Sequence, residues 1–265
     1  MNIHITDIEL FEKLALSTIF SIEIGSKMYG LDNDFSDRDI ICVYATSDNE
    51  LNSFHMTHHQ IQYKENNTDY IFVNIHNFIR NCLTGDSTIN MEVICNEKLK
   101  GTCLEFLYNM RYSFYNYKIL KSYLGLCKRD LTRIDIDGKT EYTKNKKIAH
   151  AYRGLLTAEK IFLNKDIQLS DKELNTIKTD IWTLNGYIMR QEYSNKLMSQ
   201  VDILRNNMNK ELDKKNITNF MTIENQNKLQ LELNKLTQSN FYMEHKMDNF
   251  NMELIYDANE NGIKY

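Results

Sequence analysis

Two aspartates one residue apart, Asp37 and Asp39, open an apolar run from Ile40 to Ala45, and a Gly25-Ser26 pair lies a short way upstream. Alternate residues of a strand share a face, so the two carboxylates project together from the start of a buried strand. Adjacent carboxylates repel each other, and a divalent cation is the usual reason to hold them side by side. Hard oxygen donors of this kind suit Mg²⁺, which binds through a few carboxylates plus substrate phosphates. A Gly-Ser turn brings backbone N–H groups and a hydroxyl close to a phosphate. The chemistry these residues suggest is metal-dependent nucleotidyl transfer. Such a reaction needs an acceptor oxygen, an α-phosphate and a diphosphate leaving group held in line, and two metal ions can stabilise both oxygens.

The elements around the stretch must position it. Residues 5–19 read as an amphipathic helix, with Thr6 as its cap and Asp7 and Glu9 in its first turn. A strand from Phe20 to Ile24 ends at Gly25-Ser26, where a turn opens a short helix through Tyr29. Asp37 to Ala45 is nearly continuous in apolar residues after its carboxylates, as a central strand is. Runs from His59 to Tyr63 and from Asp69 to Ile75 read as strands joined through a hairpin turn at 64–68. If the second pairs beside Asp37–Ala45, Asp69 becomes a third carboxylate; otherwise it bonds its own turn. Glu65 and Glu92 are alternatives for that third position. His76 to Leu83 reads as a helix, and Ser87 to Cys95 as an apolar pattern.

Long helical periodicities begin near residue 102. Helices are expected within 104–125 and over 144–164, 170–181, 192–215 and 224–236, with Ser170 and Glu173 spaced as a capping box. Strands followed by helices predict an α/β (α+β) chain with two domains: a catalytic one over 1–101 and a helical one over 102–265.

Lys147, His150 and Arg153 fall at i, i+3 and i+6 of one of these helices. They form either a grip on a triphosphate or acceptor, with Lys146 able to replace Lys147, or a solvated face. Tyr29 either stacks on a base or ribose or simply packs. His55, His58 and His59 favour a surface loop over a zinc site, because no cysteine is near. The 265 residues carry a net charge of -4, so no global basic field advertises nucleic acid. The charge is uneven, however: residues 1–100 hold 15 acidic and 7 basic side chains, and residues 118–153 hold 10 basic and 4 acidic ones. An acidic lobe and a basic segment suit a metal site beside a phosphate-bearing ligand. The five cysteines are odd in number and show no Cys-x-x-Cys pair, which predicts buried free thiols in a reducing compartment. No secretion signal or membrane-length apolar run is visible, so a cytoplasmic location is expected.

Gly25-Ser26, Tyr29-Gly30-Leu31, Ser36-Asp37-x-Asp39 with its apolar tail, and the later strand aspartate together resemble the DNA polymerase β-type nucleotidyltransferase superfamily. Within it the chain is similar to the nucleotidyltransferases linked to RNA-repair pathways. Asp69 to Phe78 resembles the family's third-carboxylate strand leading into a helix. Leu83 to Glu92 resembles its Gly-Asn-Pro-x-x-x-x-Glu segment, with Asp86 and Ser87 replacing Asn and Pro. Lys147-x-x-His150-x-x-Arg153 resembles its helical Lys/His/Arg pattern. The resemblance spans roughly residues 20–165. It implies a mixed sheet with flanking helices and an NTP donor such as ATP. It implies two Mg²⁺ ions, or Mn²⁺ in their place, on Asp37, Asp39 and Asp69. Gly25, Ser26, Tyr29, Lys147, His150 and Arg153 then face the nucleotide, and RNA is the preferred hydroxyl acceptor. A module that binds nucleotide or RNA without turnover, and an enzyme that nucleotidylates protein, are the alternatives.

Overall fold

A computed structural model of the chain describes residues 2–5, 8–32, 36–45, 60–134, 140–215 and 221–237. Thr6, the loop histidines His55, His58 and His59, and the Asp137-Gly138 turn lie outside the described residues. The chain forms two compact units that interleave in sequence. One comprises Met1–Arg80, Asn96–Met110 and Thr222–Tyr265; the other comprises Asn81–Cys95 and Arg111–Met221.

The first unit is built on a mixed five-stranded sheet, ordered β1-β4-β5-β3-β2. Its strands are β1 (Asn2–Ile5), β2 (Thr18–Ile24), β3 (Arg38–Tyr44), β4 (Gln60–Glu65) and β5 (Thr68–Asn74). β3 and β5 pair in parallel, and β3 is antiparallel to β2. The expected helix over 5–19 is shorter: β1 ends at Ile5, and helix α1 spans Ile8–Leu16. Ile3 and Ile5 satisfy a strand's period of two, and four residues are too few to separate that period from the helix that follows. β3 and β5 alternate as a two-sided sheet requires. Ile40, Cys42, Tyr70 and Phe72 pack with Phe11, Leu14 and Ala15 of α1 on one face. Phe11 stacks on Tyr63 with centroids 4.3 Å apart and meets Tyr70 and Phe72 edge-on, a geometry that adds roughly 0.5–1.5 kcal/mol per pair beyond burial. Register partners share a face, so Asp39 and Asp69 emerge on the side away from α1.

Helix α2 (Ile75–Thr84) follows β5, and α3 (Thr88–Ile94) begins after Ser87, whose side chain accepts from the Asn90 N–H. In the first unit come α4 (Glu105–Asn109) and, at the far end of the chain, α9 (Ile223–Thr237). The second unit contains α5 (Tyr117–Thr132), α6 (Glu141–Phe162), α7 (Asp171–Thr176), a π-turn at Ile177–Ile181, and α8 (Tyr187–Lys215). The capping box at Ser170 and Glu173 is present, and Lys160 Nζ adds a 2.7 Å bond to Glu173. Gly154 lets α5 and α6 close up, because a Cβ there would lie 3.0 Å from Cys127 Sγ.

Asn145 of α6 is buried, and its Nδ2 donates to the carbonyls of Trp182 and Leu184 where the chain turns toward α8. Asn145→Ala is expected to cost about 1–3 kcal/mol, because two carbonyls lose their donor. Denaturant unfolding measures it, and an unchanged midpoint would show that water replaces the amide without loss.

Cys42, Cys82, Cys95 and Cys127 are buried free thiols, and Cys103 is half-buried. Burial pushes Cys42, Cys95 and Cys127 up to about 12, which leaves them inert at neutral pH. Among the described residues, no helix is long and apolar enough to cross a membrane.

Candidate active site

The sheet ladder fixes the carboxylates. Asp39 is the register partner of Ile24 on β2 and of Asp69 on β5, and Asp69 is in turn the partner of Lys64 on β4. One row across four strands therefore reads Ile24, Asp39, Asp69, Lys64. Asp37 directly precedes β3 and is exposed, whereas Asp39 and Asp69 are half-buried. Like charges in register on neighbouring strands work against the sheet, while Lys64 faces Asp69 from its other side. The donors are all hard oxygens and suit Mg²⁺ or Mn²⁺ in kind. Among the described residues, no three His, Cys, Asp or Glu side chains are gathered closely enough to hold a metal ion as they stand.

The Gly25-Ser26 turn closes over the same row. Gly25 has φ +70°, and a Cβ at that position would meet Asp39 Oδ2 at 3.1 Å. Only glycine puts the turn backbone this near the carboxylate without strain. A 3₁₀ turn at Lys27–Tyr29 follows and ends at Gly30, which has φ +61°. The Ser26 carbonyl accepts from the N–H groups of Tyr29 and Leu31, at 3.2 and 3.0 Å. Its side chain does not cap the turn. Among the described residues the Ser26 hydroxyl makes no hydrogen bond, so nothing within the turn competes with a ligand for it. Charge on the opposite face is settled separately: Arg38 Nε donates to Glu23 Oε1 at 2.8 Å, and Lys27 Nζ lies 3.6 Å from the same oxygen.

Gly25→Ala is expected to cost about 1–2 kcal/mol from the left-handed backbone alone. It should also push the turn or the Asp39 carboxylate aside by a few tenths of an ångström. Nucleotide affinity measured beside thermal stability checks this, and Gly30→Ala, which meets nothing within 4 Å, is the control for backbone strain without the contact.

In the second unit, the three residues at i, i+3 and i+6 of α6 are neither a bare solvated face nor an open grip. Lys147 Nζ donates to the Arg133 carbonyl at 2.6 Å. His150 Nδ1 and Asp130 Oδ2 are 2.6 Å apart. Arg153 lies 3.7 Å from Glu92 on α3, with both side chains about nine-tenths buried. The Tyr123 hydroxyl reaches the same Glu92 oxygen at 3.4 Å. Burial acts to raise the Asp130 carboxyl, but the bond to His150 and the charges of His150 and Arg129 hold it below the usual carboxylate range. Asp130 and Lys64 are the polar residues that sequence reading missed. The sequence reads Lys64 as part of the hairpin turn, whereas the β4 ladder runs on to Glu65. Asp130 carries no local signal, since its partner is 20 residues away on another helix.

No curated protein matches the chain. Among solved structures it is similar to a nucleotidyltransferase-like protein from Exiguobacterium sibiricum, at 9% identity and a TM-score of 0.32, over 86% of this chain and 87% of that one. A family described as the RNA repair pathway DNA polymerase beta family matches residues 5–239. With nearly the whole described chain inside that match, this protein belongs to the RNA repair pathway DNA polymerase beta family.

Proposed function

We propose that the chain is a metal-dependent nucleotidyltransferase that moves a nucleoside monophosphate from an NTP to a hydroxyl of RNA, with its catalytic part within residues 1–101. The observation that carries this reading is the in-register Asp39–Asp69 pair with the Gly25 backbone held against Asp39 Oδ2. Asp37, Asp39 and Asp69 would hold the metal. When bound, the metal supplies Lewis-acid neutralisation of charge on the transferring phosphate. The chain's own residues do the rest. Gly25 and Ser26 donate backbone N–H groups and the Ser26 hydroxyl to the terminal phosphates. Tyr29 borders that turn and offers a ring to the ribose or base. A carboxylate oxygen of Asp69 takes the proton of the attacking hydroxyl as its oxygen bonds to the α-phosphorus and diphosphate departs. Catalysis of this kind is positioning and electrostatics. Lys147, His150 and Arg153 join the triphosphate grip only if a ligand draws them from their present partners.

The test incubates the protein with Mg²⁺ or Mn²⁺, each labelled NTP, and total RNA or cell lysate. Label on RNA that depends on Asp37 and Asp39 supports the reading. Label on protein instead would make the chain a protein nucleotidylase. Nucleotide binding with no transfer under either metal would make it a binding module.

A further inference from the structure

The exposed face of α5 carries cations and no acid. Lys118, Lys121, Lys128, Arg129 and Arg133 are all exposed along it or at its end. Between them stand Ser122, Gly125 and Thr132, with the half-buried Leu126 at the edge. The single carboxylate of the helix, Asp130, is buried on the other side and engaged by His150 and Arg129. The apolar residues Ile119, Leu120, Tyr123, Leu124, Cys127 and Leu131 make up the buried face. Like charges three and four residues apart each destabilise a helix by about 0.2–0.5 kcal/mol. Of these cations, Arg129 is already paired with the buried Asp130. Lys147, anchored on the Arg133 carbonyl, extends the positive charge past the C-terminal end.

The N-terminal end of the same face opens into a cavity of about 490 Å³ lined by Tyr117, Lys118, Lys121 and Ser122 of α5 and by Thr84, Gly85 and Asp86. Gly85 makes that recess. It has φ +71°, and a Cβ there would come within 2.6 Å of the Lys118–Ile119 backbone. Ser122 Oγ donates to the Gly85 carbonyl and pins the loop against the helix.

We propose that this face of the second unit is the binding track for a single-stranded RNA. Phosphates lie along the basic row, and one nucleotide seats in the recess beside Tyr117. This rests on the transferase reading for calling the strand the acceptor, but not for its binding. From Lys118 to Arg133 the row is about 22 Å long, at 1.5 Å per residue, which spans several nucleotides. The concave recess at one end selects a strand over a flat anionic membrane, whose headgroups would meet the lysines but not fill the hollow. An aromatic ring beside a cationic groove is the usual equipment for single strands.

The experiment is fluorescence anisotropy of the full chain with a labelled single-stranded RNA of mixed sequence, in a series of salt concentrations. Five phosphate contacts would give a slope of log affinity against log salt of about −3.5, at roughly −0.7 per contact. Neutralising Lys118 and Lys121 to Gln, or Lys128 and Arg133 to Gln, should each reduce the slope by about 1.4 and weaken binding at least tenfold. Melting curves should show both variants folded, with nucleotide binding by the first unit unchanged. Equal RNA affinity in wild type and both variants, no RNA binding by wild type, or binding of phosphatidylserine vesicles in preference to RNA would each overturn the proposal. Loss of NTP transfer in a wild-type protein that still binds RNA through these residues would overturn the transferase reading and leave the track standing.

Discussion

Asp39→Asn should cut nucleotide transfer by roughly 10²–10³-fold while leaving the protein folded. Both halves follow from the ladder. Asp39 sits between Ile24 and Asp69 in one row, with the Gly25 turn against its Oδ2 atom. An amide of the same shape fits the same place in the row but removes the charge the reaction would use. It also removes one of two like charges in register on neighbouring strands, which work against each other. A substitution that destroys activity and leaves the fold intact marks a residue kept for chemistry. Asp69→Asn should lose transfer likewise, with no gain in stability because its charge also faces Lys64 on β4, and the double variant should lose little more activity than either single one, since residues acting as a unit are not additive. Transfer assays and melting curves on the three proteins decide it. A stable Asp39→Asn protein with ordinary transfer would remove the carboxylate pair from the mechanism. Arg38→Ala is the companion control. It breaks a half-exposed ion pair to Glu23 on the other face, worth roughly 0.5 kcal/mol, and should leave transfer almost intact.

How much of this row was legible in the sequence depends on the range of each interaction. Asp37-x-Asp39 and the apolar run behind it are local, and they predicted a central strand that the structure places between β2 and β5. The Gly25-Ser26 turn is also local, and the positive φ of Gly25 is what a glycine at a sharp turn implies. The partnership of Asp39 with Asp69 is not local. Sequence could supply the two strands but not their register, because a slip of one residue would send Asp69 to the opposite face.

The helical part shows the same division. The cap at Ser170 is readable from its spacing to Glu173, whereas the Ser87 cap binds a backbone N–H and leaves no such pair. Ser87–Cys95 showed only an apolar run, which cannot by itself separate strand from helix. The interleaving of the units left no trace, because no glycine-rich or polar linker marks Arg80–Asn81 or Met110–Arg111; the chain crosses from one unit to the other within or between ordinary helices. The pairing of Asp130 with His150 needs α5 and α6 side by side, which periodicity cannot reveal.

Arg153→Met is expected to lower stability by about 3 kcal/mol, because it leaves the Glu92 carboxylate buried without its cation. Glu92→Leu should do comparable harm for the mirror reason. The pair is 3.7 Å apart, with only 11% and 9% of the two side chains exposed, and Tyr123 shares the Glu92 oxygen. In the double variant, with Met facing Leu, both charges are gone and most of the loss should be recovered, since replacing a buried ion pair with apolar groups of similar volume is often neutral. Chemical denaturation of the four proteins gives the coupling directly. The same cycle decides what the residues at 92 and 153 are for. If their role is to tie α3 to α6, nucleotide affinity follows stability and returns in the double variant. If Arg153 grips a triphosphate, the double variant regains its stability but not its affinity for NTP. The bond to Glu92 then becomes the resting position of a nucleotide ligand rather than a brace in the helical unit.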